Sequence, residues 1–161
     1  MKVDYFNIPE ITVSYKDKVK ASERAVVKSS ADASKIFREA HKDCMQHHEE
    51  VYAVFLNRAN RVLGIQLVSV GGLNGTVVDN RVILQTALKV NSSSICIAHN
   101  HPSGTTRPSQ EDMVITKKLA EACKIIGIHL IDHLIMTEES YTSFADEPLF
   151  WSKPKRITCR L

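Results

Sequence analysis

Between residues 99 and 112 the sequence reads HNHPSGTTRPSQED, a run whose residue types and spacing can hold a metal ion. Residues two apart in an extended chain project to the same side, so His99 and His101 can face one ion together. Pro102 bars easy continuation of a strand, and Gly104 permits a tight reversal. The chain can then fold back and offer a third ligand from the helix that follows, and Asp112 is that candidate. Two imidazoles and one carboxylate leave a tetrahedral zinc one position for water, which is how catalytic zinc is usually held.

Water activated in this way needs a group to take its proton, and a carboxylate serves. Glu49 and Glu50 stand where a helix gives way to a strand, and the edge of a sheet can reach a neighbouring strand's end. An acidic pair at such a place is more often a solvated surface feature, and spacing alone does not choose between the two. Ser109 can cap the following helix and still direct its hydroxyl toward the metal.

Each part has a plainer reading. Most HxH pairs bind nothing, and Ser109 with Asp112 is close to a capping box at the start of an apolar helix. The strand end, the HxHP turn, the glycine loop and the S-x-x-D helix start occur here in sequence. That combination is far less common by chance than any one of them.

The surrounding elements must position these side chains. Ile11 to Tyr15 alternates and is rich in β-branched residues, so a short strand is expected there. A helix is expected from about Ala31 to His48, capped by Ser30 or Asp32, with Ala33, Ile36, Phe37, Ala40 and Cys44 on one face. Val51–Asn57 and Val62–Val70 form a hairpin through Arg58, Ala59 and Asn60, and Gly71, Gly72 and Gly75 mark the break after it. Asp79 caps a second helix to about Val90, with Val82, Ile83, Thr86, Ala87 and Val90 inward. Ser93–Ala98 is a strand leading into His99. A third helix runs from about Ser109 to Ile126, with Ile115, Leu119, Ala122, Cys123 and Ile126 inward, and Gly127 stops it. Ile128–Met136 and Tyr141–Phe144 are the last strands, and Leu149, Phe150 and Trp151 can dock on the body or on a partner. The alternation implies an α/β fold, a mixed sheet with helices against its faces.

The chain has 161 residues, 43% hydrophobic and 24% charged, enough for one domain with a sizeable core. We divide it into an N-terminal segment (1–30) with its short strand, a metal-binding domain (31–145) and a basic C-terminal tail (146–161). No apolar run is long enough for a membrane span, and the N-terminus has no signal-peptide core, so a cytoplasmic protein is expected. The four cysteines, Cys44, Cys96, Cys123 and Cys159, include no CxxC pair and read as buried thiols. The net charge of +3 comes largely from Lys16, Lys18, Lys20, Arg24 and Lys28 near the start and Lys153, Lys155, Arg156 and Arg160 near the end. Such clusters can meet phosphates, or simply be solvated.

The set Glu50…His99-x-His101-Pro102-x-Gly104…Ser109-x-x-Asp112 resembles the JAMM (MPN-plus) metalloprotease signature. EVYAVFLN, the helix of Arg81, AHNHPSGTTRPSQED, and IDHLIM followed by YTSF are closer still to the RadC-like proteins. The resemblance covers about Glu49 to Phe144 and is to short forms without a helix-hairpin-helix region. It implies a three-layer α/β/α sandwich of cytidine-deaminase-like (JAMM/MPN) shape, Zn2+ on His99, His101 and Asp112, Glu50 as the acid/base carboxylate, and Ser109 as a donor to the oxyanion. Asn100, Asp132 and His133 share the RadC-like wording without an implied role; His133 is either a group that orients a metal ligand or a satisfied core histidine.

The reading is therefore a zinc-dependent hydrolase, a peptidase or isopeptidase acting on a protein or peptide, with no membrane partner. The alternative is a DNA-associated accessory or repair protein, DNA-binding or a metal-dependent nuclease. The tripeptide HNH is no evidence for that, since nucleases of that name spread those residues along a ββα element. Nucleobase deamination is set aside because the chain lacks the HxE and PCxxC ligands it uses. A metal-free interaction module would leave the complete ligand set without a purpose.

Overall fold

The computed structural model describes residues 12, 14–15, 19–71 and 78–147. The helix from Ser30 to Ala40 (α1) starts where Ser29 accepts the Asp32 N–H, while the Asp32 carboxylate accepts from Ser29 Oγ and Lys28 N–H. It ends well before His48. The apolar spacing continues and Cys44 and Met45 are buried, but residues 41–47 form irregular turns. The Asn100 amide fastens these turns to the sheet, donating to Cys44, Met45 and His48 O.

Strands Glu50–Leu56 (β1) and Val62–Val70 (β2) pair antiparallel through a turn in which Asn60 takes φ +55°. Helix Asn80–Lys89 (α2) is capped by Asp79, as expected. Strand Ser94–Asn100 (β3) runs two residues beyond the expected Ala98, so His99 belongs to the ladder itself. Helix Gln110–Ile125 (α3) follows, stopped at Gly127 with φ +72°. Strands His129–Met136 (β4) and Tyr141–Ser143 (β5) complete the sheet, in the order β2-β1-β3-β4-β5. β3 and β4 are parallel and the other neighbours antiparallel, so the sheet is mixed.

Alternation along β1 and β3 gives the sheet two apolar faces. Val54, Leu56, Cys96 and Ala98 meet Phe37 and Ala33 of α1. Ala53, Phe55, Ile95 and Ile97 meet Ile83 and Ala87 of α2 and Leu119 and Cys123 of α3. One helix on one face and two on the other make the expected three-layer α/β/α sandwich. Two expected inward residues face out: Val82 is 36% and Ile126 38% exposed. Leu84 packs toward the core in α2, and the buried row of α3 includes Thr116.

Cys44, Cys96 and Cys123 are buried free thiols, as read. Of the N-terminal strand, Thr12, Ser14 and Tyr15 are not extended in a ladder, and Ile11 and Val13 lie outside the described residues. So do Lys16, Lys18, Gly72, Gly75, Leu149, Phe150, Trp151, Cys159 and the basic residues from Lys153 to Arg160. Among the described residues, no helix is long and apolar enough to cross a membrane.

Phe37 is fully buried between α1 and the sheet. Phe37→Ala should lower the unfolding free energy by about 3–5 kcal/mol in urea titrations, the usual cost of such a cavity. A cost below about 1 kcal/mol would mean that α1 does not close this face.

Candidate metal centre

Every residue of β3 is buried. Its last two side chains leave on opposite faces. His99 continues the Ile95–Ile97 row toward α3, and Asn100 continues the Cys96–Ala98 row toward α1. The strand ends when His101 N–H donates to Met136 O. A turn closed by Gly104 N–H on His101 O follows, with Gly104 at φ +78°, open without strain only to glycine. The loop then delivers the first turn of α3 back beside the strand end.

The reversal brings the three expected ligands together. The candidate ligand atoms of His99, His101 and Asp112 all lie within 4.8 Å of one another. His99 Nε2 stands 2.9 Å from His101 Nε2 and 3.2 Å from Asp112 Oδ1, and His101 Nε2 lies 3.9 Å from Asp112 Oδ2. Ligands at tetrahedral zinc, with bonds of ~2.0–2.1 Å, sit about 3.3 Å apart, within the spread seen here. The side chains are only 6%, 11% and 14% exposed. His101 Nδ1 is 2.8 Å from Thr105 O. A carbonyl only accepts, so the proton is on Nδ1 and the Nε2 lone pair turns to the group. Converging nitrogen and carboxylate donors of this kind fit a divalent ion.

Asp112 is held from behind. Its Oδ2 accepts the Ser109 backbone N–H (2.7 Å) and the Ser109 hydroxyl (2.6 Å), while Ser109 Oγ accepts the Asp112 N–H (3.1 Å). This reciprocal capping box leaves Oδ1 facing His99. Burial alone would raise the Asp112 pKa. A His99 ring that carries protons on both nitrogens, donating to Oδ1 and adding its charge, outweighs this together with the two bonds from Ser109 and holds the carboxyl well below the usual range. The one Ser109 hydroxyl proton is thus engaged with Asp112.

Glu50 opens β1 one residue before Val51 and lies outside the cluster of candidate ligand atoms. The Glu50 carboxylate accepts from Tyr52 Oη (2.9 Å) and meets His48 Nε2 (2.9 Å), and its backbone N–H donates to Asn100 Oδ1 (2.7 Å). Burial would raise the Glu50 carboxyl, but hydrogen bonds from His48, Cys44 and Tyr52 leave it lowered. Burial and this carboxylate push the Tyr52 hydroxyl up to about 12. Val51 pairs directly with His99. The paired register ends there: the Glu50 N–H goes to the Asn100 side chain, and Glu49 precedes β1.

Three residues without an expected role turn out to be structural neighbours of the site. Asn100, fully buried, fastens the 44–50 segment by its four hydrogen bonds. Asp132 accepts from Ser143 Oγ, His133 N–H and Ala145 N–H, tying β4 to β5. His133 lies behind His99, with Nε2 2.9 Å from His99 Nδ1, stacked on Phe144 at 4.7 Å between centroids. Burial keeps its ring well below the usual histidine pKa, hence neutral.

A family model described as a RadC-like JAB domain matches residues 27–149. The chain is 44% identical over 103 residues to a UPF0758 protein of Flavobacterium johnsoniae, covering 64% of this chain and 45% of the relative. It is 38% identical over 122 residues to one of Syntrophomonas wolfei (74% and 52%) and 39% identical over 132 residues to one of Listeria monocytogenes (82% and 58%). The chain spans about half the length of these curated relatives. It belongs to the RadC-like JAB domain family, which is related to metal-dependent hydrolases.

Two outcomes follow. Asn100→Asp places an acceptor against three carbonyls and should cost on the order of 2 kcal/mol or more in urea unfolding, whereas a neutral result would remove Asn100 from the anchor. The Asp112 pKa is depressed on folding, so its contribution is present above the ordinary value of 3.8 and is lost as pH falls below it. In chelator-treated protein, Asp112→Asn should lower stability near neutral pH and flatten the acid limb. An unchanged acid limb would contradict the assignment.

Proposed function

We propose that this member of the RadC-like JAB domain family is a zinc-dependent hydrolase of amide bonds, a peptidase or isopeptidase acting on a protein or peptide. The observation that carries the reading is the convergence of His99 Nε2, His101 Nε2 and Asp112 Oδ1 at the end of a buried strand. A divalent ion held there would supply Lewis acidity to a carbonyl oxygen and lower the pKa of a water toward ~7.

The chain's own residues do the rest. Ser109 holds Asp112 Oδ2 by two donors, so Oδ1 meets the group in a fixed orientation. Thr105 O holds the His101 ring. A carboxylate must take a proton from the attacking water and return it to the departing nitrogen. Glu50, which opens β1 beside the partner of His99 and is held below the ordinary carboxyl range, is the candidate for this step, with Glu49 the alternative. The Ser109 hydroxyl serves as a tether for Asp112, and it can act on an oxyanion only by releasing Oδ2.

Cleavage of a panel of peptides and isopeptide conjugates by zinc-replete protein tests the reading. Glu50→Gln should retain zinc and lose about 10²- to 10⁴-fold in kcat, the range for a general base, while Glu49→Gln loses less than about tenfold. The reverse order would assign the base to Glu49. Failure of the zinc-replete wild type to cleave any amide would overturn the hydrolase reading.

A further inference from the structure

Thr116 and His133, neither used by the chemistry above, join α3 to His99 through a line of hydrogen bonds. Thr116 Oγ1 lies 2.6 Å from Asp112 O and 2.6 Å from His133 Nδ1, and His133 Nε2 lies 2.9 Å from His99 Nδ1. Thr116, His133 and His99 are 2%, 3% and 4% exposed, so bulk water does not compete for these groups.

The direction of each bond can be worked out from one end. A carbonyl only accepts, so the single Thr116 hydroxyl proton goes to Asp112 O. Thr116 Oγ1 then has only lone pairs to offer, and the proton between it and His133 belongs to His133 Nδ1. A neutral imidazole carries one N–H, so His133 Nε2 is a lone pair and accepts from His99 Nδ1–H. His99 is left with its lone pair on Nε2, the atom that faces His101 and Asp112.

We propose that Thr116 and His133 are positioning residues that fix the tautomer of His99 and so keep Nε2 open as a ligand atom for a divalent cation. The proposal rests on the metal centre described above. Ligating histidines usually find a carboxylate or backbone carbonyl for the other ring nitrogen, and His101 does so at Thr105. For His99 the backbone carbonyl is two side chains away. It belongs to Asp112, so the helix that brings the carboxylate also sets the protonation of the imidazole beside it.

Without the Thr116 hydroxyl, the opposite tautomer of His133 becomes competitive. Its Nε2–H would then donate to His99 Nδ1, moving the His99 proton to Nε2 and blocking the ligand atom. A histidine that merely fills the core would not couple a helix hydroxyl to the His99 tautomer.

The test compares wild type, Thr116→Val and Thr116→Ser. Zinc affinity is measured by competition with a chromophoric chelator, and the ring nitrogens are observed by NMR in metal-free protein. Thr116→Val should weaken zinc binding on the order of 10- to 100-fold, whereas Thr116→Ser stays within about threefold of wild type. The metal-free spectra should show His99 protonated on Nδ1 in wild type and Thr116→Ser, and a tautomer mixture in Thr116→Val. Wild-type zinc affinity with an unchanged His99 tautomer in Thr116→Val overturns the proposal, as does equal loss in Thr116→Ser. A wild type that binds no zinc sinks the metal centre alone, and the metal-free spectra still decide the tautomer.

Discussion

Alternation at the end of β3 sends two adjacent buried side chains to opposite faces of one sheet. His99 goes to the α3 face and enters the ligand group; Asn100 goes to the α1 face and fastens the segment that leads into β1. A shift of one residue in β3 would exchange them, putting an amide beside Asp112 and an imidazole among the carbonyls of Cys44, Met45 and His48. The different side-chain sizes on the two buried faces oppose that shift, because the same slip would exchange Ile95 and Ile97 with Cys96 and Ala98. The core on both faces therefore specifies the site.

From that fixed strand end, a short reversal and a helix cap suffice to complete the ligand set. Gly104 takes a conformation that a side chain would resist, and the capping box of Ser109 and Asp112 orients the first turn of α3. The cap is at once structural and chemical: satisfying the N-terminal donors of α3 also presents Asp112 Oδ1 to His99. Replacing a capping serine costs a helix about 1 kcal/mol, so one hydroxyl links the stability of α3 to the geometry of the centre.

Much of this is legible in the sequence because it is local. HxH in an extended segment, proline and glycine after it, and S-x-x-D before an apolar helix each report on a few neighbouring residues. The choice between Glu49 and Glu50 is different. It depends on where the start of β1 carries each carboxylate relative to the end of β3, which spacing leaves open. The overlong first helix has a similar cause: Cys44 keeps the apolar spacing past the helix end, while Asn100, more than fifty residues away, holds the turns that follow. Thr116 reads as an ordinary helix residue, and its burial shows only once His133 of β4 packs against α3. Alternation of side chains around buried strands is also why the three layers and the sheet's mixed character are legible, while the facing of Val82 and Ile126 is not.

The central claim is that His99, His101 and Asp112 hold one divalent ion. A crystal structure of protein grown with zinc, with anomalous scattering collected on both sides of the zinc edge, tests it most directly. The account requires a single strong peak at about 2.0–2.2 Å from His99 Nε2, His101 Nε2 and Asp112 Oδ1, with Ser109 still bonded to Oδ2. A peak at other side chains, or an ordered site without one, would contradict it.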